Sequence, residues 1–199
     1  MFAYIKGVLE SKGINEVVVE TGGIGYRIFM PQSSIKSMSQ IGEQVKVHTY
    51  YYVREDNISL YGFNTLEELR MFELLLSVSG IGAKSAIGMV SEINPSKFAL
   101  DVISGDVSGL VKVPGIGNKT AQRIILELKD KIKTESAIIK ADIKENNNIA
   151  FDNNIEEALS ALQVLGYQKK EAQNALGKFD VQNMSIEDII KNALNVLSK

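Results

Sequence analysis

The sequence predicts a multidomain α+β chain: a small β-barrel, a tandem helical segment, a flexible linker and a small helical bundle. Three observations support this. The first 63 residues alternate apolar and polar side chains, a glycine-rich loop occurs twice at a spacing of 35 residues, and an asparagine-rich stretch precedes a return of helical periodicity. The predicted domains cover residues 1–63, 64–133, 134–154 (the linker) and 155–199.

The N-terminal segment is predicted to contain five short strands. Residues 17–19 and 45–47 are rich in valine, which favours strands, and Gly22-Gly23 indicates a hairpin turn. Five strands in this length suit a closed or nearly closed barrel of the oligonucleotide-binding (OB) type, although the pattern alone would also suit an SH3-like barrel. The predicted strands are Phe2–Glu10, Glu16–Thr21, Gly25–Met30, Gln44–Val53 and Ser59–Phe63.

The second segment carries helix signals in the expected order. Residues 65–68 (TLEE) form a capping box that opens a helix, and Asn94-Pro95 starts another with proline at its first position. Gly105-Asp106 is expected to end that helix and to cap the next. A final helix is predicted over about Asn118–Lys131.

The repeated loop is the strongest functional signal. Residues 78–86 read VSGIGAKSA and residues 113–121 read VPGIGNKTA. Glycines let another backbone approach closely, and the following helix offers free N–H groups beside a lysine and a hydroxyl, which together can hold a phosphate. The candidate DNA-binding residues are Gly80, Gly82, Ala83, Lys84, Ser85, Gly115, Gly117, Asn118, Lys119, Thr120 and Arg123.

Each loop resembles the helix-hairpin-helix motif, which holds a DNA backbone without reading its bases. The alternative is that both loops are tight turns between helices and bind no ligand. The sequence contains neither a P-loop nor a dinucleotide fingerprint, so no nucleotide cofactor is expected.

Composition excludes several functions. The chain has no cysteine, which excludes a thiolate metal site, and one histidine, His48, which is too few for a histidine-rich metal site. A secretory signal and an apolar run long enough for a membrane span are not expected, so a reducing cytoplasm fits. The net charge is −2 and none of the segments is basic, so DNA contacts must use local geometry rather than a broad positive field.

The last two segments are predicted to be a linker and a docking module. Asparagines crowd residues 146–148 and 153–154, which suits a flexible linker. Helical periodicity resumes over 155–164, 170–178 and a helix capped by Ser185. A bundle of this size has a marginal core, and its Leu-Gly-Tyr turn resembles that of ubiquitin-associated (UBA)-like three-helix domains.

This order of parts, at this length, closely resembles the RuvA family of bacterial branch migration subunits. Three further strings carry the resemblance, namely residues 22–26 (GGIGY), 53–56 (VRED) and 60–63 (LYGF). The resemblance implies a non-catalytic protein that binds four-way Holliday junctions as a homotetramer, or as two tetramers face to face. It also implies recruitment of the hexameric ATPase RuvB, with the RuvC resolvase as a further candidate partner.

The resemblance also implies roles for particular residues. Glu55 and Asp56 would form an acidic pin at the tetramer centre that repels DNA strands at the crossover. Leu162, Leu165 and Tyr167 are candidates for an apolar patch that docks the motor, although each could simply fill the small core. Asn118 departs from the family, in which this position is often basic, so a shallower salt dependence is expected of the second loop.

Two other functions compete with this interpretation. A DNA glycosylase or lyase would use Lys119 as an amine nucleophile with a nearby carboxylate such as Asp130. Such enzymes embed one hairpin in a larger helical domain, whereas this sequence has two hairpins and little further helical mass. A scaffold whose loops only pack helices would bind no branched DNA.

Overall fold

The computed structural model describes residues 2–55, 57–146, 153–181 and 184–198. The chain divides into two compact units. The first contains Met1–Glu73 with Gly82–Glu92, and the second contains Leu74–Ile81 with Ile93–Lys199. No described helix is both long and apolar enough to cross a membrane. The four-part division of the sequence stays a prediction.

The first unit is built on a closed five-stranded barrel with the order β1-β2-β3-β5-β4. β1 also pairs with β4, and β3 meets β5 in parallel at Phe29 and Tyr61. This closure confirms the OB-type prediction over the SH3-like alternative. The strands are β1 (Tyr4–Lys12), β2 (Glu16–Thr21), β3 (Ile24–Phe29), β4 (Gln44–Val53) and β5 (Ile58–Phe63).

Alternation of apolar residues explains the barrel core. Val17 and Val19 on β2 point inward and are fully buried, as are Ile28 on β3 and Val47 on β4. Gly22 and Gly23 both have positive φ, 61° and 80°, as a two-residue turn between right-twisted strands requires. The predicted hairpin is therefore confirmed.

A short helix, α1 (Gln32–Ser37), joins β3 to β4 and was not predicted. Its six residues are too few for helical periodicity to be recognised in the sequence. Ser34 on α1 donates a hydrogen bond to Glu68 Oε1 at 2.9 Å, and Asn64 N–H donates to Glu68 Oε2 at 2.9 Å. Glu68 thus secures the start of the following helix, whose Thr65 hydroxyl accepts the Glu68 N–H at 3.2 Å.

The helices that carry the repeat follow in order. They are α2 (Leu66–Leu76), α3 (Ala83–Glu92), α4 (Pro95–Ser104), α5 (Val107–Val111) and α6 (Asn118–Asn146). Asn94 caps α4 by accepting the Lys97 N–H at 2.8 Å. Gly105 ends α4 with φ 75°, and Asp106 caps α5. These predicted caps are confirmed.

The helix α6 is much longer than predicted, because it continues past Lys131 to Asn146. It therefore enters the segment predicted as a linker. Residues 129–145 are mostly Lys, Glu, Ala and Ile, which tolerate a helix, and the asparagines that disfavour one begin only at residue 146.

Three helices form the C-terminal bundle: α7 (Asn153–Val164), α8 (Lys169–Leu176) and α9 (Ile186–Leu197). Ala158, Leu162, Ile189 and Ala193 are fully buried. Within the second unit, α7 packs against α6 and α9 packs against α4. The hydroxyls of Ser96 and Tyr167 lie 2.6 Å apart, within hydrogen-bond distance.

Candidate nucleic-acid interface

The two repeated loops share their backbone geometry position by position. Gly80 has φ 86° and Gly115 has φ 85°. The N–H group that follows each glycine donates to the carbonyl three residues before it, at 3.1 Å from Ile81 to Val78 and at 3.1 Å from Ile116 to Val113. Ile81 and Ile116 are each 7% exposed, so both loops bury the isoleucine between their two glycines. The sequence repeat is therefore also a repeat of conformation.

Glycine also begins the helix after each loop. The carbonyls of Gly82 and Gly117 accept the first helical hydrogen bonds, from Ala86 at 3.0 Å and Ala121 at 2.9 Å. Both glycines therefore occupy the position where a side chain would normally cap the helix. Since glycine has no side chain, the first-turn N–H groups of α3 and α6 stay available to an external acceptor.

The local backbone does not itself require glycine at these two positions. The φ of Gly82 and of Gly117 lies outside the left-handed region, and a Cβ added at either would meet nothing within 4 Å. This contrasts with Gly80 and Gly115, whose positive φ explains their presence. The free space above the second glycine of each loop is where another backbone could approach.

Cationic and hydroxyl side chains surround these N–H groups. Lys84 and Ser85 are exposed on the first turn of α3, and Lys119 is exposed on the first turn of α6. Asn118 is exposed, Thr120 is half-buried, and Ala83 is buried beneath the first turn. Neither lysine has an ion-pair partner among the described residues. Helix N-terminus and ammonium thus both attract an anion to the same place.

Arg123, predicted to contact DNA, has a main-chain partner that the sequence did not reveal. Its Nη1 donates to the Ser79 carbonyl at 3.1 Å, and the Ser79 N–H donates to Glu127 Oε2 at 3.0 Å. Arg123 and Glu127 lie one turn apart on α6, with Nε and Oε1 separated by 4.0 Å. The helix that follows the second loop therefore holds a residue of the first loop.

The acidic turn lies between β4 and β5. Arg54 N–H donates to the Asn57 carbonyl at 2.8 Å, which closes the turn, and Arg54 Nε donates to the Tyr52 hydroxyl at 2.8 Å. Glu55 is exposed at the tip. Asp56 lies outside the described residues.

An apolar patch covers the barrel surface beside this turn and was not predicted. Val53 and Ile58 face each other across the turn and are 56% and 63% exposed. Tyr51, on the same side of β4, packs edge-on against Phe2, which in turn packs against Tyr26. Exposed apolar residues grouped in this way are common where one protein contacts another. The signal in the sequence was the odd-numbered apolar residues at the end of β4.

Comparisons with known proteins agree along the whole chain. Residues 1–62 match the RuvA N terminal domain, residues 72–130 the SAM-like helix-hairpin-helix tandem, and residues 153–198 the RuvA C-terminal domain. A protein of Ruminiclostridium cellulolyticum named Holliday junction branch migration complex subunit RuvA is 52% identical to this chain, over 99% of this chain and all of the relative. A protein of the same name in Acetivibrio thermocellus is 53% identical over the full length of both chains. A relative of the same name in Clostridium perfringens is 45% identical over the full length of both. The chain belongs to the RuvA family.

The RuvA C-terminal domain begins where α7 begins, and its predicted docking residues are covered. Leu162 is 0%, Leu165 4% and Tyr167 7% exposed. Leu162 lies in the bundle core, and the Tyr167 hydroxyl is held at Ser96. In this arrangement the three side chains form no exposed patch, so a role in partner binding stays a prediction.

Among the described residues of this RuvA chain, one acidic group has a lowered pKa, and the cause is a helix start. Hydrogen bonds from Ser108 and Gly109 hold the pKa of Asp106 below its usual value, as expected of a helix cap. No group of three or more His, Asp or Glu among the described residues is placed to hold a metal ion.

Proposed function

We propose that this chain binds four-way junction DNA without reading its sequence and holds the junction for a partner motor. One observation carries the proposal: two loops of the same conformation each end in an uncapped helix start beside an unpaired lysine. Backbone N–H groups and lysines position phosphates but carry no sequence information, and a moving branch point needs contacts that do not depend on sequence. The family assignment gives no support to the glycosylase or lyase alternative, and a RuvA chain is a non-catalytic DNA-binding subunit.

We assign the phosphate contacts to the two loops and the helix turns after them. The first loop would use Gly80, Gly82, Ala83, Lys84 and Ser85. The second would use Gly115, Gly117, Asn118, Lys119 and Thr120. Arg123 would contact the DNA while keeping its hydrogen bond to Ser79. The N–H groups at the helix starts would supply the short-range contacts and the lysines the charge.

Assembly into a homotetramer is supported by the apolar patch beside the acidic turn. Val53 and Ile58 would be buried between protomers, and the turn that carries Glu55 would then lie close to the symmetry axis. Four protomers would present eight loops, two for each arm of a junction. Carboxylates of Glu55 and Asp56 at the axis would repel phosphates and keep strands apart at the crossover. Two tetramers face to face would enclose the junction.

The C-terminal bundle is assigned to the motor, since the relatives are named as subunits of a branch migration complex. RuvB is the proposed partner, and the RuvC resolvase is a further candidate on the assembled junction. Use of Tyr167 in that contact would require its bond to Ser96 to break. We place the chain in the cytoplasm, where bacterial DNA is processed.

The test of this function replaces both lysines. Lys84→Ala with Lys119→Ala should weaken binding to four-way junctions of unrelated sequence by the same factor. The slope of log affinity against log salt should become shallower by about 0.9 for each phosphate that the variant no longer neutralises. Lys112→Ala is the matched control, since that exposed lysine precedes the second loop rather than following it. Unchanged affinity and salt slope in the double variant would refute the proposal.

A further inference from the structure

Ser79, immediately before the first loop glycine, has both of its main-chain polar groups held by α6. Glu127 Oε2 accepts its N–H at 3.0 Å, and Arg123 Nη1 donates to its carbonyl at 3.1 Å. The guanidinium also packs over the loop, since a Cβ added to Gly80 would lie 3.4 Å from Nη1. Glu127 is about one-third exposed, so its carboxylate is not confined by a packed core.

The second loop needs no such hydrogen bond at the corresponding position. The residue 35 positions after Ser79 is Pro114, which has no N–H and therefore needs no acceptor. Proline also fixes its own φ, so the approach to the second loop is rigid without outside help. The first loop lacks this restraint, and the acceptor from α6 takes its place.

We propose that Glu127 is a positioning residue for the first phosphate-binding loop. Its carboxylate accepts the Ser79 N–H, so that the N–H groups that follow keep the orientation that a phosphate needs. The same hydrogen bond fixes the first loop to α6, the helix that begins at the second loop. The role needs a hydrogen-bond acceptor rather than a negative charge. A carboxylate near a phosphate is unfavourable, and Arg123, whose Nε lies 4.0 Å from Glu127 Oε1, offsets that charge. This inference rests on the proposed function for its DNA-binding consequence only.

Three variants of the full chain separate these roles. Glu127→Ala removes the acceptor and should lower affinity for a four-way junction roughly tenfold, the size expected when a main-chain hydrogen bond to a charged group is removed. Glu127→Gln keeps an acceptor without the charge and should bind at least as tightly as wild type. Glu127→Ala combined with Ser79→Pro copies the second loop and should recover most of the affinity. Glu92→Ala is the matched control, because Glu92 is the repeat counterpart of Glu127, and its exposed carboxylate has no hydrogen-bond partner among the described residues.

A second measurement needs no DNA. The Ser79 amide should exchange slowly with solvent in wild type and in Glu127→Gln, and about tenfold faster in Glu127→Ala. If wild type binds no junction while the amide still responds as expected, the proposed function fails and the positioning of the loop stands. Where wild type binds a junction, equal affinity of Glu127→Ala and wild type would overturn the inference, as would an equal loss in Glu127→Gln and Glu127→Ala. An unprotected Ser79 amide in wild type would also overturn it, even if the proline variant failed to fold.

Discussion

Alanine substitution of the four loop glycines should separate those needed for folding from those needed for binding. At Gly82 and Gly117 a methyl group meets nothing within 4 Å and φ lies outside the left-handed region. Replacement of both by alanine should therefore change stability by less than about 1 kcal/mol per site, because the reduced freedom of the unfolded chain offsets the preference for glycine over alanine at a helix start. At Gly80 and Gly115, with φ of 86° and 85°, alanine should cost about 1–2 kcal/mol per site.

Binding should respond in a different way from stability. The methyl groups of Gly82→Ala with Gly117→Ala would occupy the space through which a phosphate reaches the first-turn N–H groups. Loss of one hydrogen bond to a charged acceptor costs about 1.5–3 kcal/mol, which is roughly a ten- to 150-fold loss of affinity for each loop. The variant should thus be nearly as stable as wild type and bind junctions far more weakly.

The assay pairs thermal unfolding with fluorescence anisotropy on a labelled four-way junction at fixed salt, because affinities at different salt concentrations are not comparable. Gly80→Ala with Gly115→Ala serves as the comparison, expected to lower the unfolding temperature. Wild-type affinity in the Gly82 and Gly117 variant would show that no phosphate enters there. A loss of stability equal to that of the comparison variant would show that these glycines serve the fold alone.

Three further predictions follow from other parts of the chain. Glu55→Gln with Asp56→Asn should bind linear duplex as well as or better than wild type with less preference for junctions; a tenfold loss on junctions with no gain on duplex would contradict the pin. Deletion of residues 155–199 should leave junction binding and tetramer formation intact, checked by gel shift and native mass, but abolish ATP-driven branch migration with the cognate motor; migration at the normal rate would exclude this role. Burial, and secondly the charge of Lys46, lower the pKa of His48, the one histidine, from its usual value of 6.5. The unfolded chain therefore binds the proton more readily, and the free energy of unfolding should fall as pH drops below about 6.5. In denaturant titrations, His48→Gln should remove that part of the pH dependence. An unchanged pH slope in the glutamine variant would show that another group titrates there.

Sequence patterns predicted those parts of the fold that depend on neighbouring residues. The bounds of β2 and β4 match the predicted ones, and Asn94, Asp106 and Ser185 cap the helices they were expected to cap. Alternation and capping are local, so one sequence suffices to find them.

Interactions between distant segments were the part that could not be predicted. The repeat aligned Glu127 with Glu92 but gave no reason for an acidic residue there, because its partner, the Ser79 N–H, is 48 residues away. The hydrogen bond of the Tyr167 hydroxyl likewise has its partner, Ser96, 71 residues earlier. Both are hydrogen bonds of a side chain to a residue that is distant in the sequence and lies close to it only in the folded chain.

The acidic balance of the chain bears on how it would select a junction. With a net charge of −2, long-range attraction to DNA is weak, and a carboxylate at the barrel turn opposes it further. Affinity must then come from short-range donors, which act only where a phosphate sits at the right distance from an uncapped helix start. A single loop pair offers few such donors, so useful affinity requires several pairs bound at once. Linked sites raise the affinity only when their geometry lets all of them bind the target together. A linear duplex would satisfy one pair of loops, whereas a four-way junction would satisfy all four pairs of the proposed tetramer. In the proposed assembly, selectivity for branched DNA would follow from weak, well-placed contacts, and a more basic chain would bind duplex more tightly and discriminate less.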